Sequence, residues 1–390
     1  MDGEPRRSPA PGRSAPACGA SAILGGMSLP LLDDVRALSP AIRELAPLIE
    51  QDRGVPPALI EQLAELGIFR LAAPKELGGL EADPASLVEI FEELGHADGS
   101  TGWCAMIAGA TSMALAYLDP ATAADLLRDP RFLIAGVAAP MGRATPADGG
   151  YRVSGRWSFA SACHHATALV GGVVTPAGVR LAVLDPADVA ILDTWEVAGL
   201  RGTGSHDFTA DDVLVPAGRT FSLAEPPHHD GPLYAFPALS LLALGIGAVA
   251  LGIARAAIGD FGALARTKRN PVTGETISTR PAVRAAVAEA TALHGSGLAY
   301  LLASVRATGS DARRRAALRL AISTATRNAA RAVDLVYHAA GGSAVYDASP
   351  LQRHFRDVHV ATQHAMVSSD VTETAGAVLL GDTTVPTARL

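Results

Sequence analysis

The sequence of 390 residues predicts a mostly helical protein with one small β-domain between two helical regions. Apolar residues recur at three- and four-residue spacing before residue 132, which is typical of amphipathic helices. Short β-forming runs separated by turn residues then follow, and long alanine-rich apolar segments return after Pro237. We therefore predict an N-terminal helical domain over 29–132, a β-domain over 133–222 and a C-terminal four-helix bundle over 233–385.

The first region contains clear helix boundaries. An apolar stripe over 59–66 ends at Gly67, a residue suited to stopping a helix. Asp83 and Asp119 each precede a proline, so each can start a helix: the aspartate accepts free backbone N–H groups and proline fits the first turn. The segment 102–118 is apolar and rich in small residues, which indicates a buried helix.

The central region alternates short strands and turns. Glycine, proline and aspartate separate six runs rich in β-forming residues, at 133–138, 150–159, 168–174, 179–184, 189–197 and 208–215. Repeated short strands of this kind predict an antiparallel sandwich or barrel.

The last region predicts four long helices, at 237–268, 281–308, 311–339 and 350–380. Residues 239–254 carry no charge and approach the length of a membrane span. No second span follows, and Gly245, Gly247 and Gly252 would let helices approach closely, so we interpret the segment as a buried helix and expect no membrane.

Composition excludes several function classes. The net charge of −7 is spread along the chain, and the arginines at 313–315 are too few to indicate nucleic-acid binding. Cys18, Cys104 and Cys163 are far apart, which gives neither a disulfide framework nor a zinc motif and suits the cytoplasm. Residues 1–28 predict a disordered leader, within which Met27 is an alternative start.

Three short motifs are weak on inspection. Residues 245–250 fit a GxGxxG/A pattern but lack the strand and βαβ context of a dinucleotide site. Ser205-His206-Asp207 has the letters of a hydrolytic triad, yet adjacent residues cannot align their side chains for that mechanism. Glu93 and His96 have the spacing of half a di-iron site without a second half, so no metal is expected.

Four other segments indicate a site when taken together. They offer an aromatic stretch ending in a hydroxyl, a glycine-rich turn with hydroxyls, a basic helix end, and a histidine- and arginine-rich helix. Their residues are Trp157 to Ser161; Thr203 and Ser205; Arg266, Lys268 and Arg269; and Arg353, Arg356, His359 and His364. A planar, anionic cofactor that forms hydrogen bonds fits this set of groups.

The segments GGYRVSGRWSFASAC, GLRGTGSHDFTADDVLVP and AAGGSAVYDASPLQRHFRDVHVATQH resemble the acyl-CoA dehydrogenase superfamily and, within it, the flavin-dependent monooxygenases of two-component systems. The resemblance covers nearly everything after Leu29. It implies an N-terminal helical domain, a β-domain and a C-terminal bundle. It also implies a homotetramer with flavin between the β-domain and the bundle, held partly by a neighbouring subunit.

The resemblance also implies roles for individual residues. Trp157, Phe159 and Ser161 would face the isoalloxazine ring, with Ser161 near its N5, and Thr203 and Ser205 would lie near the cofactor. Arg266 would reach a phosphate, and the turn at Gly341 and Gly342 would let a backbone approach it.

The last of the four segments separates dehydrogenase from oxygenase. A dehydrogenase needs a carboxylate base. When Arg356 and Asp357 are matched to the family's Arg-Asp pair, the position of the family's usual catalytic glutamate falls on Ala365. Some dehydrogenases carry this glutamate near the start of the bundle instead, but residues 239–254 contain no glutamate. Oxygenases of this type instead use a histidine, and His364 is the candidate. The implied reaction uses reduced, diffusible FMN from a separate flavin reductase and O2, through a C4a-hydroperoxide, with FAD as the other possible cofactor.

The implied substrate is a small organic molecule. Trp103, Thr111 and His364 are candidate substrate-binding residues, whereas core packing accounts equally well for Met106. Phenol-hydroxylating relatives often have a histidine where Thr111 stands, which disfavours a phenol and leaves a polyketide, heterocycle, sulfur compound or amine open. Two alternatives remain: an acyl-CoA dehydrogenase or oxidase with FAD, and a non-catalytic flavin-binding or scaffold protein.

Overall fold

A computed structural model describes residues 30–307, 309, 311–385 and 390. The leader predicted over 1–28 lies outside these residues. Five α-helices precede the sheet: α1 (Pro30–Asp52), α2 (Pro57–Glu65), α3 (Pro84–Ala97), α4 (Gly99–Thr111) and α5 (Pro120–Leu127).

The boundaries predicted at Gly67, Asp83 and Asp119 are confirmed, whereas the helix predicted over 102–118 is α4, which ends at Thr111 and is followed by a short 3-10 helix, Ser112–Ala116. The Asp83 side chain accepts two backbone N–H groups in the first turn of α3, and the Asp119 side chain accepts the Thr122 N–H at the start of α5. Gly67 follows α2 with a φ of 82°, a conformation that glycine adopts without strain.

The central strands form one hydrogen-bonded sheet in the order β5-β6-β2-β1-β3-β4-β7. Their bounds are β1 (Ile134–Ala147), β2 (Gly150–Ala160), β3 (Ala168–Thr175), β4 (Gly178–Leu184), β5 (Ala190–Leu192), β6 (His206–Pro216) and β7 (Thr220–Phe221). The predicted sheet was wholly antiparallel, but β1 and β3 pair in parallel. The reason is that β2 turns back along one edge of β1 and the chain then crosses to the other edge, so β3 runs in the direction of β1.

The strand predicted over 189–197 is shorter than expected. Beyond β5, the backbone N–H groups of Thr194 and Trp195 donate to Nδ1 of His206 at 3.1 and 3.2 Å instead of extending the ladder. A side chain therefore replaces the strand partner here, which the sequence pattern did not indicate.

The C-terminal region contains α6 (Ala238–Thr267), α7 (Pro281–Arg306), α8 (Ala312–Ala340), α9 (Pro350–Ala361) and α10 (Ser369–Leu379). By length and composition α6 could cross a membrane, but 83% of its most apolar window is buried inside the protein, so it is the core helix that the glycines predicted. Gly252 shows the close packing: a Cβ added there would lie 2.2 Å from the carbonyl oxygen of Glu92 in α3.

The fourth helix predicted for the bundle, over 350–380, is wrong as a continuous element. It is interrupted between α9 and α10 by the turn 362–368, where His364 has an extended backbone (φ −67°, ψ 132°). The His364 side chain caps the short 3-10 helix Ala365–Val367 by accepting the Met366 N–H, which stabilises the interruption.

Candidate functional site

Three hydroxyl groups meet at the end of β2. Ser161 Oγ lies 2.8 Å from Ser205 Oγ, which lies 2.6 Å from Thr203 Oγ1, and all three residues are buried. We call Ser161, Thr203 and Ser205 the hydroxyl cluster. Thr203 donates to the carbonyl oxygen of Leu200 at 2.8 Å. Because each hydroxyl has one proton, Ser205 must then donate to Thr203, and Ser161 to Ser205.

Trp103 extends this hydrogen-bonded chain to the helical domain. Its indole Nε1 donates to Ser161 Oγ at 3.1 Å, and its ring centroid lies 5.8 Å from that of His364. The structure therefore brings together a predicted substrate residue, a predicted cofactor residue and the predicted catalytic histidine. Ser161 donates its hydroxyl proton in the hydrogen bond to Ser205 and accepts one hydrogen bond from Trp103. Its oxygen therefore keeps one lone pair that can accept a hydrogen bond from a further donor.

His364 is held in a defined protonation state. Its Nδ1 accepts the Met366 N–H at 3.2 Å, and burial, followed by the positive charge of Arg319, lowers its pKa from 6.5 to about 4. At neutral pH the imidazole is therefore neutral and carries its proton on Nε2. Such a ring can donate a hydrogen bond from Nε2, whereas its unprotonated nitrogen, Nδ1, already accepts the backbone N–H of Met366.

Asp357 positions the turn that carries Thr203 and Ser205. Its Oδ1 accepts the Leu200 N–H at 2.6 Å, its side chain is buried, and burial raises its pKa to about 7. In the sequence this aspartate stands out only as part of the Arg-Asp pair of the last helix, and its contact with the β-domain was not predicted. The pairing joins residues 157 positions apart, so no local pattern signals it.

Phe159 and Trp157, which are both predicted to face the cofactor, lie in different surroundings. Trp157 is fully buried, donates from Nε1 to the Gly172 carbonyl at 2.8 Å and stacks on Phe208 at 4.9 Å. Phe159 has a φ of 73°, which breaks the strand alternation that would place residues 157 and 159 on one face. The residue is 69% exposed, and its ring contacts that of Trp195 edge-on, with the centroids 6.0 Å apart.

A second group of predicted residues lies at a cavity of about 560 Å³ between α6, α7 and α8. We call it the basic cavity, because Lys268, Arg269, Arg280 and His338 line it together with Gly341. Lys268 Nζ donates to the Ala340 carbonyl at 2.8 Å, which joins the end of α6 to the glycine turn.

Arg266 is exposed and does not line the basic cavity, so its neighbours on the same segment supply the positive charge there. Gly341 has a φ of 58°, the left-handed region that glycine favours, and Gly342 follows it. The predicted turn is therefore present at the basic cavity, and Arg266 lies outside the cavity lining.

Other candidates are not brought to the hydroxyl cluster. Thr111 ends α4, about 12 Å along the helix axis from Trp103. The basic residues predicted to share one helix have separate partners: Arg356 pairs with Glu50, and His359 pairs with Asp334 at 2.9 Å.

The motifs judged weak from the sequence have structural roles. His206 accepts two backbone N–H groups, and Asp207 pairs with Arg156 at 2.7 Å, so these neighbours form no triad with Ser205. Glu93 pairs with Arg255 at 2.7 Å in the core. Residues 245–250 lie within α6 and follow no strand.

Comparison with known proteins decides the family. Residues 32–124 match the model of the acyl-CoA dehydrogenase N-terminal domain, and residues 244–369 match that of its C-terminal domain. The chain is 32% identical over 390 residues to the indole-3-acetate monooxygenase of Pseudomonas putida, covering 96% of this chain and 98% of that one. It is also 32% identical over 379 residues to the oxygenase component of the FADH2-dependent resorcinol hydroxylase of a Rhizobium species, covering 88% and 92%.

The chain belongs to the flavin-dependent monooxygenases of the acyl-CoA dehydrogenase family. The solved 3-HSA hydroxylase of Rhodococcus sp. RHA1 superposes on this monooxygenase with a TM-score of 0.86, at 28% identity, covering 92% of this chain and 99% of the other. These findings confirm the predicted fold, family and class of reaction.

Proposed function

We propose that this monooxygenase is the oxygenase component of a two-component system and inserts one atom of O2 into a small aromatic substrate, using reduced flavin from a separate reductase. The observation that carries this proposal is the hydrogen-bonded chain from Trp103 through the hydroxyl cluster, beside a neutral His364. The cluster's hydrogen-bond partners in the described structure are an indole and a backbone carbonyl, and no carboxylate is among them.

The residues at the hydroxyl cluster fit a reduced isoalloxazine. The free lone pair of Ser161 Oγ suits the N–H that reduced flavin carries at N5, and the exposed Phe159 ring offers an apolar face to the ring system. When bound, the flavin supplies the electrons that activate O2. The chain contributes a positioned acceptor at Ser161 and an apolar wall at Phe159.

The basic cavity fits the phosphate end of a flavin. Lys268, Arg269 and Arg280 provide cationic donors, and the turn at Gly341 lets a backbone approach an anion. In a homotetramer the basic cavity of one subunit would serve the hydroxyl cluster of its neighbour. We propose that assembly, a cytoplasmic location, and FMN as the cofactor, with FAD as the alternative.

His364 acts as a hydrogen-bond donor in this proposal. Its Nδ1 is occupied by the Met366 N–H, so the proton on Nε2 is the one available to an oxygen atom in the site. It can therefore stabilise negative charge that develops on oxygen, whereas removal of a substrate proton would first require breaking the contact with Met366.

The substrate side of the site is aromatic. The ring of Trp103 and the imidazole of His364 are 5.8 Å apart and form one wall. Met106 is fully buried against Gly245 and belongs to the core, while Thr111 remains a predicted substrate residue. The relatives that act on indole-3-acetate and resorcinol support an aromatic substrate and make a phenol compatible with this fold.

Rapid mixing of the protein with reduced FMN or reduced FAD, air-saturated buffer and indole-3-acetate or resorcinol tests the function. We expect a hydroxylated product that requires both reduced flavin and O2 and is absent with NAD(P)H alone. His364→Ala should lower the yield of product per flavin oxidised at least tenfold, and His364→Gln should retain more because its amide still donates. His359→Ala, which removes a histidine paired with Asp334, is the control. Anaerobic reduction of the bound flavin by an acyl-CoA would contradict the proposal.

A further inference from the structure

Arg319 in α8 is a buried cation without an acidic partner. It is 2% exposed, and its Nη1 and Nη2 donate to the carbonyl oxygens of Leu239 at 3.3 Å and Met366 at 2.8 Å. Its Nε has no partner, and no salt bridge to it occurs in the described part of the chain. Burial lowers its pKa to about 10, so it stays charged at neutral pH. An unpaired buried charge is costly, which indicates that a counter-charge belongs there.

Two serine hydroxyls without partners lie at the same helix junction. Ser323 is one helical turn after Arg319 on the same face of α8. Ser240 follows Leu239, whose carbonyl Arg319 contacts, in the first turn of α6. Both residues are fully buried, and neither hydroxyl has a hydrogen-bond partner among the residues that the structure describes. Native proteins pair nearly all buried polar groups, so three orphan donors at one junction favour a ligand with several acceptor atoms.

This junction adjoins the candidate site through one residue. The backbone of Met366 donates its N–H to His364 and accepts Arg319 at its carbonyl. The guanidinium therefore lies beneath the turn 362–368, near enough for its charge to act on the imidazole. A ligand group bound to Arg319 would place the rest of the same molecule beside His364 and Trp103.

We propose that Arg319, Ser240 and Ser323 form a recognition site for the carboxylate of an aromatic acid, so that this monooxygenase selects acids over their neutral analogues. The guanidinium fork and two hydroxyls match a planar group with two oxygens, and the first turn of α6 adds the positive end of a helix dipole. The substrate class rests on the proposed function, whereas the binding of a carboxylate can be measured without it.

Calorimetric titration of the flavin-free protein tests the site. The probes are indole-3-acetate and phenylacetate, each compared with its neutral amide. We expect the wild type to bind the acids roughly tenfold to a hundredfold more tightly than the amides, which is the ratio that a charge-assisted hydrogen bond supports. Arg319→Gln should bring this ratio close to one, and Arg319→Lys should restore part of it because the charge remains without the fork.

Arg327→Gln is the matched control, since it removes an exposed arginine from the same helix and should leave the ratio unchanged. If Arg319→Gln does not fold, the double variant Ser240→Ala/Ser323→Ala carries the test, with an expected severalfold drop in the ratio. An unchanged ratio in a folded Arg319 variant, or equal binding of acid and amide by the wild type, would overturn the proposal.

The binding and turnover results separate the two proposals. Selective binding of the acids without oxygenation would contradict the proposed oxygenase function and support the carboxylate site. Oxygenation without acid selectivity would do the reverse, and Arg319 would then be a structural cation supporting the turn.

Discussion

Asp357 gives a sharp test of how α9 supports the β-domain. Its pKa in the folded protein is about 7, against the ordinary value of 3.8. Between these values the folded chain holds the proton and the unfolded chain does not, so rising pH destabilises the protein. The full difference between the two pKa values corresponds to about 4 kcal/mol of unfolding free energy, and roughly 2–3 kcal/mol of it is lost between pH 5 and pH 8.

Asp357→Asn should remove this dependence. The amide oxygen can still accept the Leu200 N–H, which is 2.6 Å from the carboxylate oxygen in the wild type. In urea denaturation, the stability of Asp357→Asn relative to the wild type should therefore rise by roughly 2–3 kcal/mol from pH 5 to pH 8. Asp33→Asn, which removes an exposed carboxylate, is the control. A relative stability that stays constant with pH would refute the reasoning.

The remaining predictions concern the helix contacts and the site. Gly252→Ala should lower the free energy of unfolding by at least about 1–3 kcal/mol because its Cβ would meet α3 backbone, whereas Gly259→Ala on the same helix has open space and should be neutral or stabilising; chemical denaturation distinguishes them. Trp103→Phe removes the indole N–H that donates to Ser161, so it should lower the free energy of unfolding by about 1 kcal/mol and reduce the product formed per flavin oxidised. An unchanged yield of product per flavin oxidised would count against the hydrogen-bonded chain. The pKa of His364 is lowered from 6.5 to about 4, so between these pH values the histidine binds a proton only in the unfolded chain. From pH 6.5 to pH 5 the free energy of unfolding of the wild type should therefore fall by roughly 1–2 kcal/mol relative to that of His364→Gln, as measured by chemical denaturation.

The order of helices and strands follows from local chemistry. Aspartate before proline marked the starts of α3 and α5, and an uncharged, glycine-containing run marked the buried α6. These signals act within a few residues, so they can be read from sequence. The split between α9 and α10 could not, because it depends on a capping contact by His364 and on a carbonyl used by the distant Arg319.

The meeting of the three hydroxyl groups was predictable because whole motifs specified their positions. Ser161, Thr203 and Ser205 meet because β2 and the glycine-rich turn are adjacent in the fold. The strand pattern gave no sign of the positive φ at Phe159, which breaks the alternation between Trp157 and Phe159. Arg319 was missed because an arginine in an amphipathic helix ordinarily lies in solvent, and only the packing of α6 and the turn 362–368 buries it.

The backbone at Phe159 has a consequence for engineering this protein. A non-glycine residue with a φ of 73° stores strain, on the order of 1 kcal/mol, that glycine would release. A screen that selects only for heat resistance should therefore favour Phe159→Gly, and the variants it returns would have exchanged the Phe159 ring for a higher melting temperature. Under the proposed function the Phe159 ring packs against the flavin, so selection on turnover at moderate temperature should retain the phenylalanine, and the residue recovered at this position would report which property a screen has rewarded.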